Sequence, residues 1–238
     1  DWSVQWVAML YDHYMWTGNQ EHIRRYWPQL LRYWKLVLSL VDDRGIWRTN
    51  HLLADIRIGL HPENPKQSSG IVTPWIIERL RWSAQMAEAV GEKEQARQWQ
   101  VMSDKMAEAF RKYHIVPAGG NIPAHVADRL DPDDPSIERG YSQAGQTIAV
   151  TAGLLTADEA LADIRYAFPP PEGTPPSGVT RWNNPTYGYR VLRAMSEVGL
   201  ADLAVAHLIE RYSPYLPGHP RNLVPLKLQG PYGGPLPE

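Results

Sequence analysis

Residues 140–155 read G-Y-S-Q-A-G-Q-T-I-A-V-T-A-G-L-L, and the larger architecture can be built outward from them. No charge interrupts the run, and small or apolar side chains fall on every side of a helical projection. That predicts a helix enclosed by protein on all faces. Thr156-Ala157-Asp158-Glu159 then forms a capping box for a second helix, which ends before Pro169-Pro170-Pro171. An enclosed helix joined by a tight turn to a capped partner is a helical hairpin.

The pairing repeats on both sides. Downstream, Asn184-Pro185 reads as cap plus first-turn proline for a helix running to Val198. Gly199 turns it into a last helix, Leu200 to Tyr212, with Leu203, Ala204, His207 and Leu208 inward. Upstream, Thr73-Pro74 reads as the same signal and opens a helix through Trp75 and Leu80 to Val90. Gly91 turns that one into Glu92 to His114, where Ala96, Trp99, Met102, Met106, Phe110 and Tyr113 form a core stripe. The first pair is Trp2 to Thr17, stopped at Gly18-Asn19, and a helix with Ile23, Trp27, Leu30, Trp34, Val37 and Val41 on one face. Pro28 sits in its first turn or bends it.

Tight turns at Gly18, Gly91, Leu155-Thr156 and Gly199 join helices within a pair, while long loops rich in Pro, Gly, Trp and Asn join one pair to the next. Stacked hairpins would put every long loop on one rim, with inner helices starting near Trp2, Pro74, Tyr141 and Pro185. The spacing is too uneven for a short-period solenoid. The expected fold is all-α, an incomplete (α/α)6 toroid of about four hairpins, with residues 1–238 forming a single partial domain.

Bulk properties narrow the function. A chain of 238 residues and 27.0 kDa can bury a sizeable core. Its net charge of -2 argues against nucleic acid as partner, and no apolar run is long enough to cross a bilayer, so no membrane partner is expected. Zero cysteines exclude a disulfide scaffold, a thiolate metal site and a cysteine nucleophile. Ten Trp and twelve Tyr against two Phe favour flat rings with polar handles, which suit sugars and also fill helix interfaces. The chain opens at Asp1 without Met and stops at Glu238 in a Gly/Pro-rich stretch, so it reads as a fragment.

The rim gathers the chemistry-bearing residues. Trp47 to Gly59, W-R-T-N-H-L-L-A-D-I-R-I-G, packs Arg48, Asn50, His51, Asp55 and Arg57 into a segment with neither helical nor strand periodicity. Such a stretch reads equally as a substrate-facing loop or as a polar connection whose charges satisfy one another. His61 and Glu63 follow on the same loop. The second loop adds Asn121, His125, Glu138 and Arg139, the third Arg181, Trp182, Asn183 and Asn184, and the last His219, Arg221, Asn222, Tyr232 and Glu238. Carboxylates, amides, Arg and Trp without thiols describe a polyol-binding cleft. The spacing of His51, His61 and Glu63 matches no zinc motif, so no metal or other cofactor is expected.

The order D-W-S-V-Q-W-V-A-M-L-Y-D-H-Y-M-W-T-G-N, A-D-I-R-I-G, Y-S-Q-A-G-Q-T-I-A-V-T-A-G-L-L-T-A-D-E-A, Y-G-Y-R-V-L-R-A-M-S-E-V-G-L-A-D-L-A and R-Y-S-P-Y resembles the six-hairpin catalytic domain of bacterial α-L-rhamnosidases, glycoside hydrolase family 78. The resemblance covers most of the chain. It implies inverting hydrolysis of terminal α-L-rhamnosyl groups by a general acid and a general base, with a rhamnose-containing carbohydrate as partner. Asp55 falls where the family has an Asp-Trp pair in the sugar pocket, with Ile56 in place of the Trp. Gln146 matches the family's inner-helix Gln, and Glu238 is nearest to its general base, although the usual Thr pair and preceding Trp are missing. The catalytic candidates are thus Glu238 and Asp55. The substrate-binding candidates are Trp47, Arg48, Asn50, His51, Arg57, Gln146, Trp182, Asn183 and Tyr232. The family's general acid lies N-terminal to anything in this sequence, so the fragment alone is expected to be inactive.

Two other classes compete. Asp131-Pro132-Asp133-Asp134 matches the D-x-D-D acid motif of class II terpene cyclases, but Pro132 and Pro135 place it in a solvated loop. A catalytically inactive sugar-binding or structural toroid fits the missing Asp-Trp and Thr pairs.

Overall fold

A computed structural model describes residues 2–49, 67–137, 139–171, 173–182 and 185–212. Its helices are α1 (Trp2–Thr17), α2 (Gln20–Leu38), α3 (Val72–Val90), α4 (Lys93–His114), α5 (Gln143–Thr151), α6 (Ala157–Ala167), α7 (Pro185–Glu197) and α8 (Ala201–Tyr212). The strands are two residues each: β1 (Ser68–Ser69), β2 (Ile115–Val116), β3 (His125–Val126), β4 (Arg129–Leu130), β5 (Tyr141–Ser142) and β6 (Val179–Thr180). β1 pairs with β4 and β2 with β3, both antiparallel, and β5 runs parallel to β6. The architecture is therefore helical hairpins with minimal β-structure, as the sequence predicts. Chain contacts divide it into two compact units, one holding α1–α4 with β1 and β4, the other α5–α8 with the remaining strands.

In the first unit, α1 and α2 form one hairpin and α3 and α4 another, and α1 also packs on α3. Glycines at positive φ close both turns, Gly18 at 66° and Gly91 at 90°, where a residue with a Cβ would be strained. The core includes Ile23, Leu30, Trp34, Ile77, Leu80, Trp99, Met106 and Phe110. Trp34 Nε1–H donates to Ser83 Oγ at 2.8 Å, which satisfies the indole without leaving the core. Helix α3 is buried without a break from Val72 to Leu80, and the two charges within that stretch, Glu78 and Arg79, pair with each other. Arg79 also lies over the Trp82 ring at 4.0 Å.

Two local expectations are corrected here, and of the two placements open to Pro28 the structure has the one inside α2, away from its first turn. The helix ends at Leu38, so Val41 is off its stripe and instead forms an isolated β-bridge with Trp47. Thr73-Pro74 does not cap α3, which starts at Val72. Ser69 does that work, its Oγ accepting from the N–H groups of Ile71 and Val72 at 3.2 and 3.1 Å. Pro74 is tolerated at the third helical position because first-turn N–H groups have no intrahelical acceptor anyway.

In the second unit α5 packs on α6 and α7, and α7 on α8. Its core joins Tyr141, Val150, Ile164, Phe168, Trp182, Val191, Ala194 and Met195. Every residue of α5 is buried, as the uncharged sequence requires. The helix is shorter than the run from Gly140 to Leu155. Tyr141-Ser142 are extended in β5, Ser142 caps α5, and Gly153 at φ 65° stands in the turn that the sequence assigned to Leu155-Thr156. The Thr156 capping box is present, with Thr156 Oγ1 accepting from Glu159 N–H at 3.3 Å and Glu159 Oε2 from Thr156 N–H at 2.8 Å. On α8, Ala204 and His207 are buried, but Leu208 is 41% exposed and not inward. Because β5 and β6 are parallel and precede α5 and α7, both helices start at the same end of this unit.

Candidate functional site

The rim segments are held by polar side chains of the helices and turns around them. In the first unit, Asp42 Oδ1 accepts from the N–H groups of Arg44 and Ile46 at 3.0 and 2.9 Å, closing the turn after α2. Gly45 is required in that turn: its φ is +88°, and a Cβ would stand 3.0 Å from Lys105 O. Trp47 is buried, and its Nε1–H donates to Val37 O at 3.2 Å. Arg48 bridges Asp42 Oδ2 at 3.0 Å and Asp133 Oδ2 at 3.2 Å, while Arg44 grips Asp133 at 2.9 Å. The D-P-D-D run is thereby explained as a turn. Asp131 Oδ1 accepts from Asp133 N–H, Asp134 Oδ1 accepts from Ser136, and Asp133 answers the two arginines.

In the second unit, two glutamines of α5 clamp two loops. Gln146 is fully buried. Its Oε1 accepts from Val126 N–H at 2.6 Å, and its Nε2 donates to Val126 O and Ser142 O at 2.9 and 3.0 Å. Gln143 Oε1 accepts from Trp182 N–H at 3.0 Å and its Nε2 donates to Ala167 O at 2.6 Å. The Trp182 ring is 3% exposed, and the Arg211 guanidinium lies over it at 3.9 Å. Four of the sequence candidates are thus committed to the fold: Trp47, Arg48 and Gln146 hold loops, and Trp182 is itself held in the core. Asn50, His51, Asp55, Arg57, Asn183, Tyr232 and Glu238 lie outside the described residues, as do His61 and Glu63.

Sequence reasoning passed over Tyr141 and Asp163. The Tyr141 hydroxyl donates to Asp163 Oδ1. Asp163 has no exposure, and its Oδ2 has no hydrogen-bond partner among the described residues. Burial pushes the Asp163 carboxyl up to about 7, the Tyr141 hydrogen bond opposing the shift, and burial followed by the Asp163 charge raises Tyr141 as well. His125 stacks on Tyr141 with ring centroids 4.2 Å apart and planes 10° apart. A signal for Asp163 was present in the sequence: it falls on the inward stripe Ala160, Asp163, Ile164 and Ala167 of α6, where a charge is out of place.

Among the described residues no cluster of three or more His, Asp or Glu could hold a metal ion, and no helix is long and apolar enough to cross a membrane.

The chain resembles the crystal structure of a GH78 family rhamnosidase of Bacillus sp. GL1, with a TM-score of 0.73 at 20% sequence identity. The likeness covers 89% of this chain and 21% of that one, so this chain spans about a fifth of the solved rhamnosidase. At that identity it establishes the fold. A comparison with curated proteins finds no match. The family model described as the bacterial alpha-L-rhamnosidase 6 hairpin glycosidase domain matches residues 1–168, through α6. That match takes in more than half of the 238 residues, and the chain belongs to the bacterial α-L-rhamnosidase six-hairpin glycosidase domain family.

Proposed function

We propose that this chain is part of an inverting glycosidase that hydrolyses terminal α-L-rhamnosyl groups. The observation that carries the reading is the family match over residues 1–168. A general acid protonates the glycosidic oxygen as its bond to C1 breaks, while a carboxylate takes a proton from the water attacking C1 from the opposite face. Such chemistry requires two carboxyl groups and no cofactor. Glu238 is the proposed general base and Asp55 the sugar-pocket carboxylate. Asn50, His51, Arg57, Asn183 and Tyr232 are proposed to contact the sugar, with Trp47, Arg48 and Gln146 keeping the loops around it in place and Trp182 held in the core.

The commitment of those four side chains to the fold also favours a second reading, a sugar-binding domain of the same family without turnover. Hydrolysis of an aryl α-L-rhamnoside by the complete protein, beside aryl glucoside and glucuronide controls, separates the two. Rhamnoside-selective release with inversion at C1, followed by proton NMR, is expected. Rhamnose binding without release from any substrate would favour the second reading. In the complete protein, Glu238→Gln and Asp55→Asn should each lower kcat by at least about a hundredfold without unfolding it, because these groups act in the transition state. Wild-type rates in either variant would remove that residue from the site.

A further inference from the structure

His125 is a rim residue that the second unit fixes in place while leaving one ring nitrogen unused. Its Nδ1 lies 3.0 Å from Pro123 O, and a carbonyl only accepts, so the proton resides on Nδ1 and Nε2 carries the lone pair. Among the described residues Nε2 makes no hydrogen bond, and the residue is half-buried. The two buried histidines among the described residues use Nε2, His114 against Ser68 Oγ and His207 against Pro169 O. Burial lowers the proton affinity of the His125 ring, the hydrogen bond to Pro123 opposing the shift and the nearby Arg139 adding to it.

Its support is unusually complete. Val126, the next residue, is held through both its N–H and its C=O by Gln146. One face of the imidazole is covered by Tyr141, whose hydroxyl is fixed by Asp163. A buried carboxyl with an unpaired oxygen destabilises the fold, and Tyr141 is the hydrogen-bond partner it serves among the described residues. With a face covered, the ring is presented for recognition through its Nε2 edge, as an acceptor for a neutral donor.

We propose that His125 is a sugar-binding residue, its Nε2 accepting a hydrogen bond from a ring hydroxyl of the terminal rhamnosyl group, with Tyr141 and Asp163 as positioning residues. The proposal rests on the glycosidase reading above and adds to it a contact on the second long loop.

The test uses the complete protein, with steady-state hydrolysis of an aryl α-L-rhamnoside and the Kd for L-rhamnose. His125→Phe keeps a ring on Tyr141 and removes the acceptor, and His125→Gln returns an acceptor near the Nε2 position. The Phe variant should raise KM and Kd about tenfold, the loss of one hydrogen bond to the sugar, with a smaller change in kcat and only a small fall in Tm from losing the bond to Pro123 O. The Gln variant should recover most of that loss. KM and Kd within twofold of wild type in a folded His125→Phe protein would overturn the proposal alone. A wild-type protein that neither cleaves nor binds any glycoside tested would overturn the glycosidase reading and the proposal with it. Should the Phe variant not fold, the 15N shift of His125 Nε2 in the wild-type protein decides: movement on adding L-rhamnose is expected, and no movement at saturating sugar would overturn the contact.

Discussion

A carboxyl group with no exposure and one unpaired oxygen ionises only at a cost, and Asp163 makes that cost measurable. Its folded value is about 7 against an ordinary 3.8. Below about pH 4 the group is protonated in both folded and unfolded chains, and its stabilising effect is fully present. Between about pH 4 and 7 the unfolded chain releases the proton while the folded chain retains it, so stability falls with rising pH and levels off above 7. The raised value corresponds to at most about 4 kcal/mol over that interval. Asp163→Asn keeps an acceptor for Tyr141 and cannot ionise. Urea unfolding at pH 4.5, 6 and 7.5 should give the variant a flatter pH profile than wild type, and the difference isolates Asp163 from other carboxylates. Equal slopes would mean that Asp163 is ionised in the folded chain.

At the scale of elements, stability is concentrated in caps. Thr156→Ala removes half of a capping box and should cost about 1 kcal/mol in chemical denaturation. Ser142→Ala should cost more, about 2 kcal/mol, because the same hydroxyl accepts from Gly145 N–H at 3.1 Å and donates to Asp128 Oδ1 at 2.6 Å inside the core. Equal losses would show that the bond to Asp128 contributes nothing.

Capping box, turn glycines and apolar stripes made the helices legible, since each is a local signal with a local cause. The misreadings had two sources: a competing local cap, since Ser69 and not Thr73 reaches the first N–H groups of α3, and a tertiary contact, since pairing with β6 draws Tyr141 and Ser142 out of α5. The candidate site was less legible for a related reason. Gln146, Trp47 and Trp182 carry the same groups whether they face a sugar or hold a backbone, and the sequence does not reveal which partner they meet. His125 was visible as one rim residue among many, but its fixed tautomer depends on Pro123 O and its stacking on Tyr141, both products of the fold.

At the scale of the whole molecule, the helical hairpins leave much apolar surface uncovered. On α1, Met9, Met15 and Trp16 are 71%, 60% and 89% exposed; on α8, Val205 and Ile209 are 53% and 59% exposed. Single exposed apolar residues are ordinary, but several on one helix, with a large aromatic among them, favour association with another apolar surface. The 238-residue chain produced alone should therefore self-associate at about 50 µM, within the micromolar-to-millimolar range where exposed apolar surface drives aggregation. Met9→Lys with Trp16→Gln on α1, and Ile209→Lys on α8, should reduce association in sedimentation velocity. They should leave Tm almost unchanged, because these side chains bury little on folding. The separate variants assign the effect: if only the α1 pair restores the monomer, α1 is the sticky face, and if only Ile209→Lys does, α8 is. A wild-type chain that sediments as a single monomer at that concentration would show that neither helix face is sticky enough to drive self-association.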